Sequence, residues 1–135
     1  MDRAVVHRFL SEEAHWQKDI GPKTIERALE NSLCIGAFVD DAQVGLARVV
    51  TDYATFAWID DVFVDASFRG QGVAYRLMEA IIEHPKLESV AAWWLSSSNP
   101  DARRLFEKFG FSTPEHERLG KCMAREKVKS DAYHQ

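Results

Sequence analysis

The sequence predicts a mixed α/β fold in which helices come first, antiparallel strands follow, and a helix–strand–helix–strand series closes the chain. Three stretches carry this reading. "LCIGAFVDDAQVGLARVV" is two apolar, β-rich runs joined by a tight polar connection at Asp40-Asp41, a hairpin pattern. "FVDASFRGQGVAYRLMEA" leads from an apolar run through Gly70 and Gly72 into helical spacing, and "NPDARRLFEKFGF" has a full set of helix signals.

Taken in order, "RAVVHRFL" is short and fits more than one element. "PKTIERALENS" places Ile25, Ala28 and Leu29 on one helix face, starting at Pro22 or Lys23 and ending at Asn31-Ser32. After the hairpin, "FAWIDDVFV" reads as a strand whose alternation is broken by Asp60 and Asp61. Period-two alternation puts these aspartates on opposite faces, Asp60 with Trp58, Val62 and Val64, and Asp61 with Ile59 and Phe63. Beyond the glycines, Val73, Leu77, Ala80, Ile81 and His84 recur at helical spacing until Pro85 stops the run. "SVAAWWL" reads as a buried strand. In the last helix Asn99 suits the N-cap, Pro100 the first turn and Gly110 the left-handed position past the end. Its apolar stripe is Ala102, Leu105, Phe106 and Phe109. A final strand is expected around "GKCMAREKV", followed by a fraying polar tail from about Lys129.

The 135 residues, 46% of them hydrophobic, suit one domain over 1–135 with its own core. A net charge of -4 argues against nucleic acid as partner. No apolar stretch approaches a membrane span, and the start lacks a secretory signal pattern. Cys34 and Cys122 form no CxxC pair and are read as reduced and structural. The histidines show no metal-ligand spacing, so no metal is expected. The expected setting is cytoplasmic, and a homodimer is compatible with this reading.

Glycine costs backbone entropy and adds no packing, so Gly70 and Gly72 at a helix start suggest that something approaches the backbone. A helix N-terminus presents unpaired N–H groups and a favourable dipole for an anion, and Arg69 adds a planar fork suited to phosphate. A P-loop would need lysine followed by serine or threonine where Val73-Ala74 stand, and a dinucleotide fingerprint a third glycine where Tyr75 stands.

The pattern that fits is R-x-x-G-x-A, filled by Arg69, Gly72 and Ala74, and about thirty residues later Asn99, Ala102, Leu105, Gly110 and Phe111. Over roughly residues 33–111 the chain resembles the GNAT superfamily of acetyl-CoA-dependent N-acetyltransferases. The resemblance implies a GNAT-like mixed, largely antiparallel sheet flanked by helices. Residues 1–4 leave almost no room for the usual first strand, which is expected to be short or missing. The resemblance also implies that the pyrophosphate of coenzyme A sits on residues 69–74 (Arg69, Gly70, Gln71, Gly72, Val73 and Ala74). The pantetheine arm then lies along Val62, Phe63 and Val64 like an added strand, which needs splayed neighbouring strands. Asn99 would touch the arm from the other side, and Arg103, Arg104 and Lys108 could attract outer phosphates.

Acetyl transfer needs a neutral amine, and a lysine-like amine is neutral only in roughly one part in a few thousand near pH 7. Asp61 is taken first and Asp60 second as the base; a purely structural role for the pair competes with both. The family's tyrosine donor is replaced by Phe106, which lies at the helix position the resemblance points at the sulfur but cannot donate. Tyr75 is expected at phosphate or solvent. His15, Trp16, Arg48, Asp52, Tyr53, Phe56, Trp58 and Trp93 are candidates for the acceptor side, with Trp16, Arg48, Tyr53, Trp58 and Trp93 carried forward. The implied activity is acetyl transfer from acetyl-CoA to a primary amine, on a small molecule or a peptide, by direct attack in a ternary complex. A non-catalytic acyl-CoA-binding sensor or regulatory module is the alternative that Phe106 keeps open.

Overall fold

The computed structural model describes residues 1–13, 20–97, 99–112 and 123–125. Helix α1 (Arg3–Arg8) is capped by Asp2, whose carboxylate accepts from the backbone N–H of Ala4 and Val5. It continues as a wider π turn over Phe9–Glu13. "RAVVHRFL" is therefore helical, and Val6, Phe9 and Leu10 fall on one fully buried stripe. Helix α2 (Pro22–Glu30) starts at Pro22 as expected, buries Ile25 and ends at Asn31.

Strands β1 (Leu33–Val39), β2 (Ala42–Thr51), β3 (Phe56–Val64) and β4 (Ala92–Leu95) form one sheet in the order β1-β2-β3-β4. The first three pair antiparallel, and β4 runs parallel to β3. The β1–β2 turn is the two residues Asp40-Asp41, with Asp40 at φ 53°, a left-handed conformation that aspartate tolerates. Asp52 closes the β2–β3 turn by accepting the N–H groups of Ala54, Thr55 and Phe56. The Thr55 hydroxyl, which donates to its other oxygen, and then those backbone bonds hold its carboxyl well below the usual range. Helices α3 (Val73–Ile82) and α4 (Pro100–Glu107) complete the described fold. No strand precedes α1 among the described residues.

Two apolar layers flank the sheet. On one face Ala47, Val49, Ala57, Ile59 and Val64 pack with Leu77, Met78 and Ile81 of α3 and Phe106 of α4. On the other, Leu46 packs with Val6, Phe9, Leu10 and Ile25, and the Phe63 ring stacks on Phe9 at 6.2 Å. The α3 stripe differs from its expected set in two positions. Ala80 is exposed, while Met78 is fully buried, because positions 74, 77, 78 and 81 are the ones that share the core-facing side of this helix.

The strongest correction lies in β3. Arg48 stands opposite Asp61 and Val49 opposite Ile59, so Asp60 is an extra residue, a β-bulge. Ile59 and Val62 consequently pack on the same core, and both Asp60 and Asp61 turn toward the opposite face. The expected separation of the aspartates onto two faces does not hold. Helix α4 fits its sequence signals throughout: Asn99 caps it, Pro100 begins it, and Gly110 follows it at φ +89°. The strand expected around 120–128, Cys122 and the tail lie outside the described residues, apart from residues 123–125, which are not in the sheet. No helix among the described residues is long and apolar enough to cross a membrane.

Candidate active site

The parallel pairing of β3 with β4 runs from Phe56–Ala92 to Ile59–Leu95 and stops there. Beyond that point β3 keeps its pairing with β2 as far as Val64 but has no strand on its β4 side among the described residues. The edge over Val62, Phe63 and Val64 is thus open where an extended arm could add to it. Val64 and Val62 turn their side chains to the α3-side core and Phe63 to the α1-side core, so what they offer an arm is backbone.

This edge runs directly into the glycine loop. Asp65 caps a short 3-10 turn, Ala66–Phe68, by accepting the Ser67 N–H at 3.0 Å, and its second oxygen pairs with Arg8 at 3.1 Å. Arg69 Nε donates to the Val64 carbonyl at 3.2 Å, placing the guanidinium at the junction of strand and loop. Gly70 and Gly72 have φ of +77° and +81°, a region that other L-residues rarely enter. At neither glycine would a Cβ meet any heavy atom within 4 Å. Space therefore opens directly above this backbone. Gly72 is the N-cap of α3 and supplies no side-chain cap, which leaves the first-turn N–H groups to a ligand. Val73 and Ala74 pack their side chains on the core, so they too present N–H, while Gln71 is exposed. Tyr75, half-exposed, tilts against Phe109 with ring centroids 4.9 Å apart and ties the start of α3 to the end of α4.

At the start of α4, Asn99 Oδ1 is engaged in capping the helix, accepting from Asp101 and Ala102 N–H at 2.9 and 3.3 Å. Only its Nδ2 is left for a cofactor arm. Phe106 is a core residue, 9% exposed, packed edge-on against Phe111 at 6.4 Å. The residue also lines the cleft between β4 and α4. Arg103 donates to the Ser97 carbonyl at 2.8 Å, and Arg104 pairs with Asp101 at 3.1 Å on an exposed surface. A cleft of about 670 Å³ lies between β4 and α4, but no residue of the glycine loop or of β3 lines it, so it is separate from this groove.

The bulge assembles an ion cluster at the point where β3 leaves β4. Arg48 Nε donates to Asp61 Oδ2 at 2.7 Å, Nη2 donates to Asp60 Oδ2, and Nη1 donates to Ser32 Oγ at 3.1 Å. All three guanidinium nitrogens are engaged and Arg48 is buried, which corrects its expected role as a direct acceptor contact. The Asp61 side chain is 1% exposed and that of Asp60 21%. Asp61 Oδ1 is buried without a hydrogen-bond partner among the described residues. Burial pushes the Asp61 carboxyl up to about 6, with Arg48 pulling against the shift and the Asp60 charge adding to it. Cys34, opposite Arg48 on β1, is a free, half-buried thiol whose pKa burial raises.

The tryptophans divide between the faces. Trp93 packs with the α3-side core, on the face opposite the ion cluster, and lines the cleft between β4 and α4. Trp94 is the β4 residue in register with Trp58, on the same face as Asp60 and Asp61. In "AAWWL" two adjacent tryptophans carry no phase signal, so only the register with β3 distinguishes them. Tyr53, at φ 63° in the β2–β3 turn, is exposed and lies five residues beyond Arg48, on the order of 15 Å away at strand spacing. Phe56 is exposed at the start of β3, and His15 and Trp16 lie outside the described residues.

Known proteins share this fold. A model of the acetyltransferase (GNAT) family matches residues 3–111. A crystal structure of a GNAT-family protein from Xanthomonas campestris pv. campestris is 41% identical, covering 93% of this chain and 86% of that one, with a TM-score of 0.84. The ribosomal-protein-S18-alanine N-acetyltransferase of Escherichia coli is 26% identical over 68% of this chain and 61% of its own, with a TM-score of 0.59. Among curated proteins, an acetyltransferase of Agrobacterium fabrum is 31% identical over 55 residues, a match spanning 41% of this chain and 40% of that protein.

Proposed function

The chain belongs to the acetyltransferase (GNAT) family, and from that premise we propose that it moves an acetyl group from acetyl-CoA to a primary amine in a ternary complex. One observation carries the reading: the strand edge left open beyond Ile59–Leu95 leads straight into a glycine loop with empty space above its backbone. That space and the uncapped N-terminus of α3 fit a pyrophosphate, held by backbone N–H of residues 72–74 with Arg69 beside it. Val62, Phe63 and Val64 offer backbone to the pantetheine arm, and Asn99 Nδ2, which the α4 cap does not use, would meet it from α4.

The bound thioester supplies an acyl carbon: the amine nitrogen bonds to it, the carbon–sulfur bond breaks, and sulfur leaves with the electron pair as thiolate. The protein's part is to take the ammonium proton and to hold the amine at the split between β3 and β4. Asp60 has the more exposed carboxylate of the pair and meets the amine, directly or through water. Asp61 stands behind it and fixes Arg48, and with a carboxyl at about 6 it is ionised at neutral pH. The thiolate needs no side-chain acid, because a thiol of pKa about 8.5 is a good leaving group. Water protonates it.

The second reading, a module that binds acyl-CoA without turning it over, rests on Phe106, which puts no hydroxyl where the family's tyrosine stands. Calorimetry with acetyl-CoA, followed by a thiol-release assay over a panel of amines, separates the two. Binding with amine-dependent thiol release is the expected result; binding with none would favour the sensor.

A further inference from the structure

We infer that the acceptor is a primary amine carried on a flat apolar body, an arylalkylamine, lying on Trp58 and Trp94 with its ammonium at Asp60; this rests on the transfer reaction proposed above. Trp58 and Trp94 are register partners on neighbouring parallel strands, which run about 4.8 Å apart. Their strand neighbours Ala57, Ile59, Trp93 and Leu95 all pack on the α3-side core, so both indoles stand on the opposite face. Both tryptophans keep partial exposure. Val50, in register with Trp58 on β2 and 40% exposed, widens the strip.

The polarity of the next row of side chains gives the ligand its direction. Two carboxylates share one guanidinium there, so the ionised cluster of Asp60, Asp61 and Arg48 keeps a net negative charge. Asp60 is its more exposed carboxylate, and Asp61 Oδ1 behind it is buried and unpartnered among the described residues. An ammonium at Asp60 is attracted by the carboxylate, while the apolar body it carries lies on the aromatic strip. A carboxylate or phosphate on the acceptor would meet like charge. The Trp58 row and the aspartates are two to three residues apart, on the order of 7–10 Å along a strand. A two-carbon link between ring and nitrogen spans that interval once the hydrogen bond is included. The amine then sits where β3 and β4 part, at the end of the open edge.

The test is titration of 2-phenylethylamine, n-propylamine, spermidine and glutamate, with and without coenzyme A, read by calorimetry and tryptophan fluorescence, followed by turnover with acetyl-CoA. We expect 2-phenylethylamine to bind about tenfold or more tightly than n-propylamine, and to quench fluorescence. Trp58→Leu and Trp94→Leu should each remove that preference while n-propylamine affinity stays the same; Asp60→Asn should weaken both amines alike. If a leucine variant does not fold, Trp58→Phe and Trp94→Phe keep the ring and should keep the preference. Equal affinities across the panel, or preference for spermidine or glutamate, would overturn the inference. Acetyl-CoA that fails to bind would instead bring down the transfer reading, and the amine titration without coenzyme A would still decide this one.

Discussion

Strands β2 and β3 present two unlike surfaces. Toward α3 the side chains of Ala47, Val49, Ile59, Val62 and Val64 are apolar without interruption. Toward α1 the sheet changes character within three rows: Leu46 and Phe63 are core, Arg48 with Asp60 and Asp61 is an ion cluster, and Trp58 with Trp94 is aromatic and partly exposed. One inserted residue makes the difference. The bulge at Asp60 lets Ile59 and Val62 stay in one core while both aspartates emerge on the other side. The lesson is a division of labour: one face holds the fold together, and the other carries charge at a strand split that the apolar packing does not need.

The largest expected effect tests the charged face. Arg48→Leu leaves two carboxylates facing each other in a largely buried site, and removing one partner of such a group costs about 3–5 kcal/mol. Denaturant melts should show that loss at neutral pH and a smaller one in acid, where the carboxylates neutralise. A loss that is the same at every pH would mean that the guanidinium acts by packing alone.

A smaller effect tests the apolar face. Phe106→Tyr buries a hydroxyl in the α3-side core, at a cost on the order of 1–3 kcal/mol where it finds no partner. The melting temperature should fall, and acetyl-CoA should not restore it beyond the shift it gives the native protein. Full rescue by acetyl-CoA would place this ring against the cofactor and undo the division drawn above.

The smallest is a slope. The Asp61 carboxyl is raised in the folded protein, so the folded state holds its proton more tightly than the unfolded chain does. From this group, stability is greatest below about pH 4 and declines as pH rises through about 6. Asp61→Asn should flatten the stability–pH curve over that interval and reduce turnover more at neutral than at alkaline pH. An unchanged curve would mean that Asp61 is not the buried acid the geometry describes.

Much of this was legible because local rules fix it. Asn99, Pro100 and Gly110 each answer to a backbone requirement of α4, Asp40-Asp41 to that of a two-residue turn, and Gly70 and Gly72 to positive φ. Such signals need no knowledge of neighbouring strands. The bulge was not legible, because period-two alternation assumes that no residue is inserted, and Asp60-Asp61 looks the same either way. Trp93 and Trp94 stayed unresolved because a four-residue strand with adjacent identical side chains has no phase of its own. Arg48 looked available in the sequence and is instead enclosed by groups from β3 and Ser32, contacts that only the tertiary fold creates.

The central claim is that the glycine loop takes the cofactor's phosphates, and Gly72 tests it most directly. Asparagine tolerates the left-handed conformation at φ +81° better than other residues with a Cβ, and a Cβ there meets nothing in the protein itself. Gly72→Asn should therefore fold, with a melting temperature close to that of the native protein, while its side chain occupies the space above the backbone. Calorimetry should show acetyl-CoA binding to the native protein and an affinity at least about tenfold weaker in a folded Gly72→Asn. Equal affinity in the two proteins would contradict the claim, as would a native protein that binds no acetyl-CoA.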